Sequence, residues 1–180
     1  MKHFFLSLFI LKSIFSFSQD KYISRNGQVQ LNASTPLETI NPVNNHVSCI
    51  LDTENGNIAF QLKMISFKFD KALMEEHFNE KYVESEKFPK STFVGKILDW
   101  EKVDWDKEEQ NVQATGTLTI HGLDKEIVVS GIIRMLQKNI NLVSEFYINI
   151  SDFDIKIPKI VRDKISEKVE IYVDINLHPK

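Results

Sequence analysis

Residues 112–150, VQATGTLTIHGLDKEIVVSGIIRMLQKNINLVSEFYINI, contain three consecutive stretches in which apolar and polar residues alternate. The apolar or small members of the alternation are Gly116, Leu118, Ile120; Ile127, Val129, Gly131, Ile133, Met135; and Ile140, Leu142, Phe146, Ile148. A period of two residues is typical of β-strands that bury one face. The turn His121-Gly122-Leu123-Asp124 is short enough to join antiparallel neighbours. This stretch therefore predicts three long antiparallel strands.

The same alternation occurs on both sides of this stretch. Its apolar or small members are Val29, Leu31, Ala33; Val47, Cys49, Leu51; Ile58, Phe60, Leu62, Met64; Phe93, Gly95, Ile97; and Val169, Ile171, Val173, Ile175, Leu177. Asn26-Gly27 and Glu54-Asn55-Gly56-Asn57 carry turn signals that suit hairpins. The pattern predicts about eight strands in an antiparallel meander.

Two segments depart from the period of two. From Asp70 to about Glu86, a 3.6-residue stripe predicts one amphipathic helix, and its members are Leu73, Met74, His77, Phe78 and Tyr82. Asp70 is the predicted N-cap, because a carboxylate can accept hydrogen bonds from the free N–H groups of a first helical turn. The segment from Pro158 to Ile165 has the spacing of a short helical turn before the last strand.

Many evenly spaced strands with one dominant helix fit either a closed barrel or a two-sheet sandwich. We favour an all-β, lipocalin-like antiparallel barrel of eight strands with the helix beside it, because closure removes the exposed edges of long apolar strands. Gly95, Gly116, Gly131 and Ser144 leave room on the inward face or permit sharp coiling. The interior of such a barrel is either filled by side chains or holds one slender ligand.

The first 18 residues have the layout of a secretory signal peptide. Lys2 and His3 precede an eight-residue apolar run, Phe4 to Leu11, and Ser16-Phe17-Ser18 supplies small residues before Gln19. The alternative is a membrane anchor, but Lys12 interrupts the run well short of the roughly 18 apolar residues that a spanning helix needs. No cysteine follows the run, so a lipoprotein anchor is not expected.

Cleavage after residue 18 would leave one domain, residues 19–180, with no stable membrane anchor. It would remove two lysines and change the net charge from −3 to −5. We therefore expect a mildly acidic periplasmic or secreted protein. A chain of this size encloses one good core and is awkward to divide into two.

Composition excludes several functional classes. With 42% hydrophobic and 26% charged residues the chain is typical of globular proteins, and 22 basic against 25 acidic residues argue against a nucleic-acid partner. The single Cys49 can form neither an intrachain disulfide nor a thiolate zinc site. The acidic run from Asp99 to Glu109 lacks the central glycine and ordered spacing of a calcium loop, and we interpret it as the solvated end of a hairpin.

Catalytic signatures are also lacking. Gly-x-Ser-x-Gly, Cys-x-x-Cys and Gly-rich phosphate loops do not occur. Asp152 and Asp154 flank Phe153, yet two acids alone are weak evidence for glycosidase chemistry. The sequence therefore predicts no enzyme, no catalytic residue, no metal site and no cofactor.

Three ordered motifs carry a resemblance to a known family. They are LMEEHFNEKYVESEKFPKSTFVGKI from Leu73 to Ile97, GTLTIHGLDKEI from Gly116 to Ile127, and SDFDIKIP from Ser151 to Pro158. Together they resemble the YceI-like family of exported bacterial lipid-binding proteins, over Lys21 to His178. The resemblance implies a lipocalin-like barrel, an apolar channel for a polyisoprenoid or fatty-acyl chain and, as frequently in the family, a homodimer. The family more often has an arginine–aspartate pair before the histidine, where this chain has Leu73-Met74-Glu75-Glu76.

Burial of hydrocarbon contributes about 0.8 kcal/mol of binding free energy per methylene, whereas association costs about 4–15 kcal/mol. Because a short tail could not offset this cost, such a channel suits a long chain. The candidate lipid-binding residues are Phe60, Leu62, Phe67, Phe69, His77, Phe93, Leu118, Ile120, Ile133, Phe146 and Phe153. Each apolar member has the alternative of being ordinary core. His77 either orients a polar head group or hydrogen-bonds to backbone, and His121 is interpreted as a hairpin residue that caps local backbone.

Two other functions compete with lipid binding. A barrel filled solid would suit an interaction module that binds a protein partner through surface aromatics, with Trp100, Trp105 and Tyr147 as candidate contacts. An enzyme would need His77 and Glu76 as an acid–base pair, but no nucleophile or oxyanion donor can be named with them. We favour the exported lipid-binding protein.

Overall fold

The computed structural model describes residues 21–180, in which eight antiparallel strands form a closed barrel. The strands are β1 Lys21–Asn32, β2 Val43–Asp52, β3 Asn57–Lys63, β4 Lys90–Ile97, β5 Glu109–Ile120, β6 Leu123–Leu136, β7 Asn139–Asn149 and β8 Lys168–Pro179. The predicted eight-stranded barrel is confirmed and the sandwich is excluded. The predicted signal peptide, residues 1–18, lies outside the described residues. Within residues 21–180, no helix has both the length and the apolar character needed for a membrane span.

The strands pair in chain order, and β1 closes the barrel against β8. Asn26-Gly27 is not the predicted turn, because it lies inside β1 as a bulge in the pairing with β2. A Cβ on Gly27 would lie 2.1 Å from the Cδ1 of Ile175, so the close approach of β8 explains the glycine.

The pairing of β6 with β7 covers only part of their length. It joins Gly131–Leu136 to Asn139–Ser144, and beyond Ser144 the two strands have no ladder between them. The 3₁₀ turn Ile150–Phe153 contacts both strands in this region. This part of the wall is therefore completed by a loop rather than by backbone pairing.

The two ends of the barrel differ in construction. Long segments, residues 33–42, 64–89 and 150–167, connect the strands at one end, which we call the loop end. The remaining connections are residues 53–56, 98–108, 121–122 and 137–138. The turn 121–122 also lies at the loop end. The other three define the hairpin end. The helix belongs to the loop end, so the two ends can perform different tasks.

The helix is shorter than predicted and is not capped by Asp70. It runs as α1 Ala72–His77 and continues as a π-helical turn, Phe78–Tyr82; Lys71 is at the N-cap, with no side-chain cap bond. Instead, Glu75 reaches back, and its carboxylate accepts hydrogen bonds from Lys68 Nζ at 2.6 Å and from the Phe69 N–H at 3.3 Å. These bonds, led by the one from Lys68, lower the pKa of Glu75. The predicted turn after Pro158 is a 3₁₀ turn, Lys159–Val161.

The hairpin end of the barrel is filled with side chains. Its fully buried residues are Leu51, Ile97, Ile133, Ile140, Ile175 and Leu177. Trp100 covers this end and donates a hydrogen bond from Nε1 to the Thr53 carbonyl oxygen at 2.9 Å. Gly56, at φ 76°, packs directly under the indole, where a Cβ would lie 2.7 Å from Trp100 Cγ. A larger residue would meet both backbone strain and a clash at this position.

Candidate functional site

The loop-end half of the barrel encloses an apolar cavity of about 370 Å³. Its floor is formed by residues that lie next to the filled hairpin end, and these are Ile58, Ile97, Val112 and Leu142. Its walls are mostly aliphatic and aromatic side chains from all eight strands. Helix α1, the π-helical turn and the loops 33–42 and 150–167 surround its mouth. The cavity is thus blind at one end and opens among the loops at the other.

Nine of the eleven residues predicted to bind lipid line this cavity. They are Phe60, Leu62, Phe67, Phe69, His77, Phe93, Leu118, Ile120 and Phe146. They come from β3, β4, β5 and β7 and from the segment 64–89, so the barrel brings together residues up to 86 positions apart in sequence. Their contact with lipid stays a prediction.

Ile133 and Phe153 are not among the lining residues. Ile133 is opposite Leu142 in the β6–β7 ladder, on the side of the cavity floor that is packed solid. Phe153 is fully buried beneath the β5–β6 turn, where its carbonyl oxygen bonds to His121. For these two residues the alternative of ordinary core is the better description.

Several lining residues were not among the predicted site residues. Three of them, Ala114, Val129 and Val173, point inward in the same alternation as the predicted lining residues of their strands. The period of two could therefore have predicted them. Ile40, Ile155, Ile157 and Val161 come from loops that cover the mouth. Loops have no periodicity, so no pattern in the sequence pointed to this second group.

The small inward residues make different contributions to the free space. Gly131 and Ser144 line the cavity. Gly95 and Gly116 pair with each other across β4 and β5 so closely that a Cβ would lie 2.2 Å from the Thr115 carbonyl oxygen at Gly95 and 2.4 Å from the Val94 carbonyl oxygen at Gly116. A Cβ on Gly95 or Gly116 would lie 2.8 or 2.9 Å from Phe93 Cζ. Gly95 and Gly116 therefore leave no room on the inward face, and the close approach of β4 and β5 at these glycines fits the other predicted role, sharp coiling of the strands.

Aromatic contacts fix the helix over the mouth. Phe78 packs edge-on against Phe67 with ring centroids 5.6 Å apart, and its ring is tilted by 49° against that of Phe69 with centroids 5.0 Å apart. Offset and edge-to-face pairs of this kind stabilise by about 0.5–1.5 kcal/mol beyond area burial. The helix is thereby attached to the segment that leaves β3, and its apolar face roofs the cavity.

A few polar groups lie at the mouth among the apolar walls. The half-buried His77 ring forms no hydrogen bond with any described residue, contrary to the alternative that it bonds to backbone. Burial raises the pKa of Tyr82, which also lines the cavity. Glu38 accepts a hydrogen bond from Lys71 at 2.7 Å, which lowers the pKa of Glu38. Lys164 is the fourth ionisable residue that lines the cavity, with His77, Tyr82 and Glu38.

Comparison with known proteins places the chain in a family. A family model described as a YceI-like domain matches residues 22–177. The chain belongs to the YceI-like family. No curated protein matches it by sequence.

Solved structures share the fold of this YceI-like domain at low sequence identity. A polyisoprenoid-binding domain from Saccharophagus degradans is 14% identical, with a TM-score of 0.76 over 89% of this chain and 99% of that one. BcnA from Burkholderia cenocepacia is 14% identical, with a TM-score of 0.69 over 84% and 95%. The Campylobacter jejuni YCEI protein is 23% identical, with a TM-score of 0.52 over 70% and 77%.

His121 connects three segments of this YceI-like domain at the loop end. Its Nδ1 lies 2.9 Å from the Phe153 carbonyl oxygen and its Nε2 lies 2.8 Å from Glu84 Oε2. A carbonyl oxygen only accepts, so Nδ1 is protonated and donates. Phe88 packs edge-on against the ring with centroids 4.5 Å apart. His121 therefore caps backbone 32 residues away, and the expectation that it caps local backbone is wrong.

We expect His121→Ala to lower the free energy of unfolding by about 1–3 kcal/mol, because the buried Phe153 oxygen loses its donor. Urea unfolding followed by tryptophan fluorescence measures the change. His178→Ala is the control, since this exposed ring bonds only to Asn139 Oδ1 and its loss should change stability by less than about 0.5 kcal/mol. Equal effects of the two substitutions would contradict a structural role for His121.

Cys49 and the acidic run of the hairpin end contribute no chemistry to the cavity. Cys49 is buried outside the lining, and burial raises the pKa of its thiol, which keeps it protonated and unreactive. Among residues 21–180, no group of three or more His, Cys, Asp or Glu side chains has an arrangement that could hold a metal ion.

Proposed function

We propose that this YceI-like protein is exported and binds a single-chain amphipathic lipid, of the fatty-acyl or isoprenoid type, with the tail inside the barrel. The observation that supports this most strongly is the blind, mainly apolar cavity whose ionisable lining residues, Glu38, His77, Tyr82 and Lys164, lie at its mouth. A single-chain lipid matches this arrangement, because its apolar tail would lie in the cavity interior and its polar end at the mouth. The polyisoprenoid-binding domain from Saccharophagus degradans shares the fold.

The size of the cavity favours one chain. At about 370 Å³ it lies near the lower end of the roughly 300–1,000 Å³ range of ligand pockets. About ten buried methylenes would give about 8 kcal/mol, enough to offset the lower part of the association cost of about 4–15 kcal/mol. A lipid with two chains would leave one of them in water. We therefore propose that the tail enters first and stops at the floor formed by Val112 and Leu142.

The polar end of the ligand would remain among the polar groups of the mouth. The His77 ring and the Tyr82 hydroxyl form no hydrogen bond with other described residues, so both are free to bond to a head group. Glu38 is already engaged by Lys71. A head group with hydrogen-bonding oxygens fits these contacts best.

We expect His77→Phe and Tyr82→Phe each to weaken binding of a fatty acid by about two- to tenfold, the effect of one lost hydrogen bond of about 0.5–1.5 kcal/mol. Displacement of a fluorescent fatty acid measures the affinity. The matched probe is an alkane of the same length, whose affinity should not fall in either variant. An equal loss for both probes would show that the two side chains only shape the cavity.

Native mass spectrometry tests the proposed function. Protein purified after expression of the full chain is incubated with a fatty acid and an isoprenoid alcohol, and the masses are recorded. The expected result is one lipid per chain. Unliganded mass alone, with no uptake of either compound, would overturn the proposal. N-terminal sequencing of protein from the periplasm or medium tests export, and retention of residues 1–18 in the cytoplasm would contradict it.

Less support exists for the other functions. The cavity argues against a barrel filled solid, and Trp100, one of the candidate partner contacts, is buried in the hairpin end. Glu76 is exposed and forms no ion pair with His77, so the residues of the acid–base hypothesis are not joined. We propose binding without catalysis. The homodimer also stays a prediction, which sedimentation velocity would test.

A further inference from the structure

Exposed apolar side chains lie next in the chain to residues that line the cavity: Leu37 precedes Glu38, Leu73 precedes Met74 and Ile160 precedes Val161. Leu37, Leu73 and Ile160 are 64%, 60% and 87% exposed, and each comes from a different segment of the loop end. Ile160 is the most exposed large hydrophobic residue among residues 21–180. Isolated exposed apolar residues are common, but three around one opening are a feature of an interaction surface. We call these three residues the apolar rim.

The three segments of the rim are joined to one another. Lys71, beside α1, forms an ion pair with Glu38, next to Leu37, at 2.7 Å. The N–H of Ser166 donates to the Ala33 carbonyl oxygen at 2.9 Å, which ties the segment containing Ile160 to the one containing Leu37. Each segment also contributes lining residues to the cavity. The rim and the opening therefore form one continuous surface.

The charges beside Ile160 are mainly positive. The segment Lys159–Ile165, KIVRDKI, has three cations and one anion. Lys159 and Lys164 are exposed and form no ion pair with described residues, whereas Arg162 pairs with Glu167 at 3.3 Å. The two lysines thus present positive charge on either side of the most exposed apolar side chain, and the charge of Lys164 also helps to lower the pKa of Glu38, after the hydrogen bond from Lys71.

The hairpin end offers a contrast. Leu98, Trp105 and Leu136 are also exposed there, but the cavity floor is closed on that side. The neighbouring run from Asp99 to Glu109 contains six acidic residues and two lysines. An anionic surface would repel the run from Asp99 to Glu109 and attract the segment Lys159–Ile165, where the positive charge of the loop end is concentrated; the loop-end segments 33–42, 64–89 and 150–167 together contain 11 acidic and 8 basic residues.

We propose that the loop end docks on a lipid bilayer that contains anionic phospholipids. Ile160, flanked by Leu37 and Leu73, enters the interface, and Lys159 and Lys164 contact phosphate groups. The cavity mouth then faces the bilayer, so that a lipid tail passes between membrane and barrel without crossing water. This inference rests on the proposed lipid binding and adds the membrane as the partner that delivers or receives the lipid.

Cosedimentation with vesicles tests the proposal. Protein expressed from the full chain is mixed with vesicles of phosphatidylcholine and phosphatidylglycerol at a ratio of about 3:1, an anionic surface of the kind that attracts basic segments. Ile160→Asp should weaken association at least tenfold. Leu136→Asp, at an exposed apolar position of the hairpin end, is the matched control and should bind as the wild type does. Equal binding of the two variants, or no sedimentation of the wild type, would overturn the docking surface.

Lipid transfer separates this inference from the proposed function. Ile160→Asp should slow the uptake of a fluorescent fatty acid from the same vesicles at least tenfold. Its affinity for that fatty acid delivered from dilute ethanol should match that of the wild type, because Ile160 does not line the cavity. Unchanged uptake from vesicles would overturn the docking surface alone. Absence of binding by either route in the wild type would overturn the lipid-binding function itself.

Discussion

Ala114→Trp is expected to weaken lipid binding at least about 100-fold while the barrel remains folded. Ala114 is an inward residue of β5 that lines the cavity near its floor, opposite Ile97 on β4 and Val129 on β6. An indole there would occupy space otherwise taken by several methylenes. Three or four displaced methylenes at about 0.8 kcal/mol each correspond to about a 100-fold loss of affinity. Displacement of a fluorescent fatty acid measures it.

Two further variants serve as controls for Ala114→Trp. Val94→Trp adds the same side chain to the outer face of β4, where Val94 is 61% exposed, and should bind lipid normally. Val129→Phe adds a smaller ring to the same cavity wall and covers the case in which Ala114→Trp fails to fold. Wild-type affinity in a folded cavity variant would show that the lipid binds elsewhere.

Truncations should affect the two halves of the barrel differently. Ile140→Ala removes a fully buried side chain from the filled hairpin end and should lower the free energy of unfolding by about 2–5 kcal/mol. Phe146→Ala, at the cavity wall, should lower the free energy of unfolding by less than about 3 kcal/mol. This is below the range of about 3–5 kcal/mol for the same substitution in a packed core. The reason is that the Phe146 ring already borders empty space and has fewer partner atoms to lose. Urea unfolding of the ligand-free protein measures both.

The comparison of these two variants is informative because the larger side chain is predicted to matter less. Phe146→Ala should also change lipid affinity, whereas Ile140→Ala should leave it unchanged in the folded protein. A loss of about 3–5 kcal/mol for Phe146→Ala would indicate a packed core at the cavity wall. It would favour the interaction module with a solid barrel.

The alternation of residues was sufficient to predict the strands and the barrel. It could not separate the hollow half from the filled half, because Val129 and Ile133 lie on the same face of β6 and only Val129 reaches the cavity. The difference is set by what covers each end, Trp100 on one side and loops on the other. Coverage of this kind depends on tertiary structure, which a period of two does not encode.

Side-chain bonds between distant segments were the other element that the sequence could not predict. His121 bonds to Phe153 and Glu84, which are 32 and 37 positions away, although its place in a tight turn suggested a local cap. Likewise, Glu75 rather than Asp70 supplies the carboxylate at the start of the helix, because it also reaches Lys68. In both cases the hydrogen-bond partner is determined by how the loops of the loop end fold over the barrel.

Photo-crosslinking with two modified fatty acids tests the central claim most directly, namely that a lipid tail occupies the blind cavity. One fatty acid has a diazirine at the end of its chain, and the other has one beside the carboxylate. The chain end should label floor residues such as Ile97, Val112 and Leu142, and the head should label His77, Tyr82 or Lys164. Labelling of the outer wall near Val94 and Val128 by the chain end, or no labelling of the floor, would contradict the claim.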